Sequence, residues 1–368
     1  MSKHAKPSRV PPERDFTAGM AAGGRSFIGS TGEAGLDERI LKLAQEISGV
    51  DEPELLAEML ITAVRTARGR PPVGDFKLLN RALKEMRRAS EVFDRWKDFR
   101  KVAVFGSART APEAPEYRAA CEFSARMRDE GFMTITGAGP GIMAAGNEGA
   151  GRDDSFGLNI VLPFEAVANE FIAGDDKLIH FNYFFTRKLS FVKESDALVA
   201  FPGGFGTMDE AFEALTLIQT GKSQVHPVVL VDAPGGTYWK FWDQFVRDHL
   251  LRAGLISETD LSLFMVTDDL GAAVEEVTGF YRVFHSYRYV GDQLVIRLME
   301  ALPEEAVKKL ETDFADLIKA GGVRQGGALR QEENEPELAE LPRLVFRHQR
   351  KDFGRLRQLI DAINRVGD

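Results

Sequence analysis

Between Lys101 and Thr278 the chain alternates two patterns. Short apolar runs end in glycine or a polar break, and segments with apolar positions every three to four residues follow them. The runs predict strands at Val102–Phe105, Phe132–Thr136, Phe156–Leu162, Lys177–Phe181, Ala197–Phe201, Val228–Asp232 and Leu263–Val266. The periodic segments predict helices over about Glu116–Asp129, Ile142–Ala150, Asn182–Glu194, Thr207–Ile218, Tyr238–Leu250 and Asp268–Thr278. Such alternation implies an α/β fold with a mostly parallel, doubly wound sheet covered on both faces.

Different patterns flank this core. Residues 1–34 are dominated by Pro, Gly, Ser and basic residues, which predicts a disordered tail. Residues 35–100 read as helices at about Leu36–Ile47, Glu52–Arg68 and Gly74–Phe99, the last with Phe76, Leu79, Leu83, Met86 and Phe93 as its apolar stripe. Beyond 280 the pattern is mixed: paired strand candidates at Phe280–Tyr287 and Gln293–Leu298, a helix over Glu304–Ala320 and a polar glycine-rich stretch at Gly321–Glu335. A strand at Leu344–Arg347 and a helix at Asp352–Ile363 follow. The expected division is a tail at 1–34, a helical region at 35–100, a Rossmann-like nucleotide-binding core at 101–280 and a small α+β region at 281–368.

Within the core the pattern points to one junction. The run Ala197–Phe201 breaks at Pro202-Gly203-Gly204 and resumes as a helix with Met208, Ala211, Phe212, Leu215 and Ile218 on one face. Strand, glycine turn and helix N-terminus together suit a phosphate: glycine lets backbone N–H groups approach closely, and the helix start offers unpaired donors and a positive dipole end. Thr207 and Glu210 have the spacing of a capping box, which is the alternative reading of these two residues. Gly137-Ala138-Gly139-Pro140-Gly141 after the second strand repeats the strand–glycine–helix order and predicts a second phosphate or ribose contact, while Gly106-Ser107 ends the first strand. Arg187-Lys188 sits in an amphipathic helix just before the organising strand, open to solvent or to the same crevice.

Composition narrows the chemistry. The 368 residues carry a net charge of -9, which argues against bulk nucleic-acid binding. One cysteine, Cys121, excludes a disulfide framework, and six scattered histidines give no metal cluster, so no metal and no cofactor are expected. No apolar run reaches the ~20 residues of a membrane span, and the basic start lacks an apolar signal region, so a cytoplasmic protein is expected. Gly221-Lys222-Ser223 follows a helix rather than a strand, so it is not a phosphate loop of the Walker type. The strand after Gly137–Gly141 ends at Leu162-Pro163 without the acidic residue a nicotinamide site requires.

The motif pair is specific. Arg187-Lys188 followed by Pro202-Gly203-Gly204-Phe205-Gly206-Thr207-Met208-Asp209-Glu210 resembles the Lonely Guy (LOG) family, often mislabelled as lysine decarboxylases, and the likeness covers about residues 100–280. The resemblance implies hydrolysis of the N-glycosidic bond of a nucleoside 5'-monophosphate to free base and ribose 5-phosphate. It implies Arg187 and Glu210 as the catalytic pair. Gly203, Gly204, Gly206 and Thr207 would hold the phosphate, with Gly106, Ser107, Gly139, Gly141, Asn182 and Lys188 bordering the nucleotide. It also implies a homodimer or higher homo-oligomer. Phe184-Phe185 stands where the best-known cytokinin-activating members have Met-His, which leaves the base open. The other reading is a nucleotide or molybdenum-cofactor carrier or sensor on the same fold, without hydrolysis.

Overall fold

The computed structural model describes residues 29–47, 49, 52–161 and 168–366. Most of the 1–34 tail, and the Leu162-Pro163 strand end, lie outside the described residues. The chain divides into two compact units, one ending at Arg87 and one beginning at Arg88. In the first, α1 (Ala34–Glu46) and α2 (Pro53–Arg68) pack as a pair through Ile40, Ala44, Ala57 and Ile61. Helix α3 (Val73–Asp94) crosses the boundary and stops five residues short of the expected Phe99, in turns after Asp94.

The second unit is built on seven parallel strands: β1 (Lys101–Phe105), β2 (Met133–Thr136), β3 (Ser155–Ile160), β4 (Leu178–Phe181), β5 (Ala197–Ala200), β6 (Val228–Val231) and β7 (Met265–Thr267). Their order is β4-β3-β2-β1-β5-β6-β7. The helices α4 (Pro115–Asp129), α5 (Ile142–Ala150), α6 (Phe184–Glu194), α7 (Phe205–Gln219), α8 (Tyr238–Phe245) and α9 (Leu270–Gly279) connect them. Strands β1, β2, β5 and β6 are buried at every residue, which is why they read as continuous apolar runs and not as alternations. The chain winds outward from β1 through β2 to β4, then returns to lay β5 on the other side of β1, with Val102 opposite Ala197 and Phe105 opposite Ala200. That reversal opens a crevice beyond the C-terminal ends of β1 and β5, the place where open α/β sheets bind ligands.

The remaining chain forms an antiparallel sheet ordered β10-β11-β9-β8, from β8 (Phe284–Val290), β9 (Gln293–Leu298), β10 (Arg324–Gly326) and β11 (Arg343–Arg347). Helices α10 (Glu304–Asp313) and α11 (Phe353–Asn364) complete it. The helix expected to reach Ala320 ends at Asp313 and passes through a short 3-10 turn. A buried clasp joins this sheet to the core: Arg100 bonds Asp196 at 3.2 Å and the His285 carbonyl at 3.0 Å, while the Tyr281 hydroxyl donates to the Asp196 carbonyl at 2.6 Å. Arg100 and Asp196 precede β1 and β5, so the clasp lies at the strand ends opposite the crevice.

Candidate active site

Three loops meet at the crevice, and backbone hydrogen bonds lock them together. The Phe201 N–H donates to the Phe105 carbonyl at 2.8 Å, the Ser107 N–H to the Pro202 carbonyl at 3.1 Å, and the Ile142 N–H to the Ser107 carbonyl at 3.0 Å. Gly106-Ser107, Gly137–Gly141 and Pro202–Gly206 are therefore one assembly. Gly141 is needed for its backbone: it sits at φ +66°, and a Cβ there would collide with the Ser107 carbonyl. Gly137 is needed for its missing side chain, because a Cβ would strike a terminal nitrogen of the Arg187 guanidinium.

Helix α7 begins at Phe205, two residues earlier than the periodicity predicts, with Gly204 as its N-cap and no side-chain capping bond. Thr207 is thus in the first turn, and Glu210 lies well inside the helix. The capping-box reading is removed, since Glu210 is too far along to reach the helix start. Thr207 is buried with its hydroxyl against Gly203. The first helical residue, Phe205, is 97% exposed.

Arg187 and Glu210 are brought to the same place, both 9% exposed. Arg187 donates Nε–H to the Leu158 carbonyl at 2.7 Å, which fixes the guanidinium under the Gly137 loop. Burial lowers its pKa, while the charge of Glu210 works the other way. Burial pushes Glu210 up from 4.5 to about 7, against the opposing pull of Lys188 and Arg187. The surroundings explain the direction. Glu210 borders a cavity about the size of one water, walled by Phe105, Phe191, Leu198 and Ala214, with His226 also at its edge. Near pH 7 such a carboxyl is poised between its two forms.

Lys188 is placed differently from a residue that borders a nucleotide. Its ammonium bonds Asp209 at 2.8 Å and Glu213 at 2.9 Å, tying α6 to α7. Burial works to lower its pKa, but these hydrogen bonds outweigh it and the pKa rises. A lysine held as the ammonium does not fit the Schiff-base chemistry of a pyridoxal-dependent decarboxylase. Asn182 is exposed between β4 and α6.

Two supports were not visible in the motifs. The Tyr238 hydroxyl donates to the Gly203 carbonyl at 2.6 Å, and Asp232, at the end of β6, accepts the Trp239 N–H at 3.0 Å, bonding the first turn of the helix that carries Tyr238. Asn147 and Asn169 hold the Gly137–Gly141 loop from behind. An aspartate at a strand end before Pro-Gly-Gly-Thr was the available signal for the first. Nothing local marks the second.

An open parallel sheet with glycine loops and helix starts gathered at its switch point is the arrangement at which α/β proteins bind ligands. Residues 140–277 match the family model described as "Possible lysine decarboxylase". The chain is 30% identical over 144 residues to the probable cytokinin riboside 5'-monophosphate phosphoribohydrolase LOGL5 of Oryza sativa subsp. japonica, covering 37% of this chain and 56% of that protein. It is 29% identical over 177 residues to the cytokinin riboside 5'-monophosphate phosphoribohydrolase of Mycobacterium tuberculosis, covering 47% of this chain and 90% of that protein. Among solved structures, the molybdenum cofactor binding protein of Rippkaea orientalis is 17% identical with a TM-score of 0.35, over 48% of this chain and 93% of that one. The α/β core is thus similar in sequence to LOG proteins, and the resemblance read from Arg187-Lys188 and Pro202–Glu210 stands. The chain spans about half the length of the rice relative, and the flanking regions lie outside the family match.

Proposed function

We propose that the protein hydrolyses the N-glycosidic bond of a nucleoside 5'-monophosphate. The observation that carries this reading is Glu210: a carboxyl buried in apolar surroundings, with Arg187 and Lys188 acting on it, beside three interlocked glycine loops. In this reading the phosphate sits on the Gly203–Thr207 turn, where the start of α7 supplies N–H donors. Gly106, Ser107, Gly139 and Gly141 border the ribose and base, and Asn182 stands at the crevice rim. Lys188 acts through Asp209 and Glu213, keeping α6 and α7 in register.

The chemistry then balances without a cofactor. Water adds to the ribose C1' as the C1'–N bond breaks. The bonding electron pair leaves with the base, and the proton that the water loses is the one the base gains through solvent. Positive charge builds on the sugar in the transition state, and ionised Glu210 opposes it, as carboxylates do in glycoside hydrolysis. Fixing the phosphate remote from the broken bond orients C1' against the carboxylate. Arg187, locked by Leu158, pulls Glu210 toward its charged form against the burial.

A second copy of the chain is proposed to cover α6, where Phe184 and Phe185 are 53% and 52% exposed although Phe181 is buried. Sedimentation at micromolar concentration would give a dimer or larger species, and a monomer would exclude it.

The deciding experiment incubates the protein with AMP, GMP, CMP, UMP and cytokinin riboside monophosphates, and assays free base and ribose 5-phosphate. Base release that is lost in Glu210→Gln supports the hydrolase. Tight binding without release from any nucleotide would make the crevice a carrier or sensor site.

A further inference from the structure

Ala138 stands in the glycine loop after β2 at φ +59°, a left-handed conformation that residues with a Cβ resist. Two hydrogen bonds hold it there. Its N–H donates to Thr136 Oγ1 at 3.0 Å, and its carbonyl accepts the Asn169 N–H at 2.8 Å. The Asn169 side chain adds two more: Nδ2 donates to the Gly139 carbonyl at 3.0 Å and to Asn147 Oδ1 at 2.9 Å. Asn147, fully buried, accepts from Thr136 Oγ1 at 2.7 Å on the same oxygen and donates Nδ2 to the Phe156 carbonyl at 3.3 Å.

This network grips the loop by successive carbonyls. No peptide bond among the described residues is cis, so the Ala138 carbonyl and the Gly139 N–H point in opposite directions within one peptide plane. Pinning the carbonyl on Asn169 turns the Gly139 N–H away from Asn169. The neighbouring Gly137 is the surface against which the Arg187 guanidinium rests. Among the described residues no donor reaches the buried Asn169 Oδ1, which costs stability. A residue that served only to hold the fold would gain by satisfying that oxygen.

We propose that Asn169 is a positioning residue for the nucleotide. Its main-chain N–H pins the Ala138 carbonyl, and its side chain, bound to the Gly139 carbonyl and to Asn147, steadies that N–H and the left-handed turn, and so sets the amide face of Gly139 and the wall that Arg187 rests on. The proposal builds on the phosphoribohydrolase reading above. It predicts an unusual rescue, because glycine adopts a positive φ without the penalty that alanine meets. If Asn169 works by forcing the conformation of residue 138, then Ala138→Gly should make Asn169 dispensable.

The test compares Asn169→Ala, Ala138→Gly and the double variant, using a nucleoside 5'-monophosphate that the wild type cleaves and ribose 5-phosphate as a binding probe. Asn169→Ala should raise KM and the ribose 5-phosphate Kd about tenfold, with a smaller change in kcat. The double variant should recover most of that loss while its thermal midpoint stays near that of Asn169→Ala. A double variant as impaired as the single one, or an Asn169→Ala protein with unchanged KM and Kd, overturns the proposal. Should Asn169→Ala fail to fold, Thr136→Val removes the hydroxyl that accepts the Ala138 N–H and must show the same rescue by Ala138→Gly. A wild type that binds ribose 5-phosphate but cleaves nothing sinks the hydrolase reading alone, and the Kd values still decide the role of Asn169. A wild type that neither binds nor cleaves overturns both.

Discussion

Arginine and glutamate are buried together both beside the C-terminal sheet and at the crevice, and the carboxylates are treated in opposite ways. Beside the C-terminal sheet Glu332, Arg297 and Arg343 are at most 2% exposed, and Glu335 is 3%. Glu332 accepts Arg297 at 2.7 Å, Arg343 at 3.3 Å and the Leu329 N–H at 2.9 Å, while Glu335 pairs with Arg297 and, at 2.6 Å, with Arg288. Burial alone would raise the Glu332 pKa, but the Leu329 N–H and the guanidinium groups outweigh it and hold the carboxyl below its usual range. At the crevice Glu210 is similarly buried and has two cations close enough to act on it. Arg187 instead spends its Nε–H on a backbone carbonyl, and Lys188 on two other carboxylates. Burial therefore wins there. Distance and direct hydrogen bonding, not the number of neighbouring charges, separate a structural ion cluster from a reactive carboxyl.

The contrast can be broken at several points. The largest effect is expected from Glu210→Gln, which keeps the shape and removes the charge: kcat for base release should fall by roughly three orders of magnitude, or about 4 kcal/mol of transition-state stabilisation. A variant retaining a tenth of the activity would end the assignment. Next, Glu332→Ala should destabilise the fold by about 3–5 kcal/mol, because it strips buried Arg343 of its carboxylate and leaves Arg297 with Glu335 alone. Urea unfolding at pH 7 measures this, and a loss under 1 kcal/mol would show that the cluster is not what holds the 329–335 segment.

The two carboxylates also predict opposite responses to pH. Glu210 has a folded pKa raised to about 7, so its contribution is full below the unfolded value near 4.5 and is lost as pH rises through 7. Glu210→Gln should then be more stable than the wild type at pH 8, by about 2–3 kcal/mol, with the gain gone at pH 4. Glu332 has a lowered pKa, so its contribution is present above 4.5 and is lost as pH falls through the folded value. The penalty of Glu332→Gln should shrink in acid. Parallel pH series of thermal midpoints on the two variants test the pair, and curves of the same sign would refute the contrast. In catalysis, kcat/KM should climb with pH through about 7, as Glu210 ionises, and that limb should vanish in Glu210→Gln. The smallest effect is expected from Tyr238→Phe, which frees the Gly203 carbonyl: about 1 kcal/mol, read as a severalfold rise in KM with little change in the thermal midpoint.

Much of this was legible along the chain. The buried strands show as unbroken apolar runs, and the site loops show as glycines placed where those runs end, because both signals arise from neighbours a few residues apart. Errors cluster at element ends. Helix α7 starts at Phe205 and not Thr207 because Gly204 serves as its cap, so apolar spacing located the helix but not its first turn. That shift decides the role of Glu210, since it moves the residue out of reach of a capping box. Asn169 carried no local mark, as it acts on a loop 30 residues distant in sequence.

Local order thus follows from the residues in sequence: which segments are strands, where the glycines interrupt them, and that Arg187 and Glu210 flank one strand. The chemical state of those residues does not. Glu210 is held near 7 by apolar walls from β1, α6, β5 and α7, and Lys188 is kept an ammonium by two carboxylates on the facing helix. Desolvation and Coulomb attraction depend on distances through space, and those exist only once the sheet has brought β1 and β5 side by side.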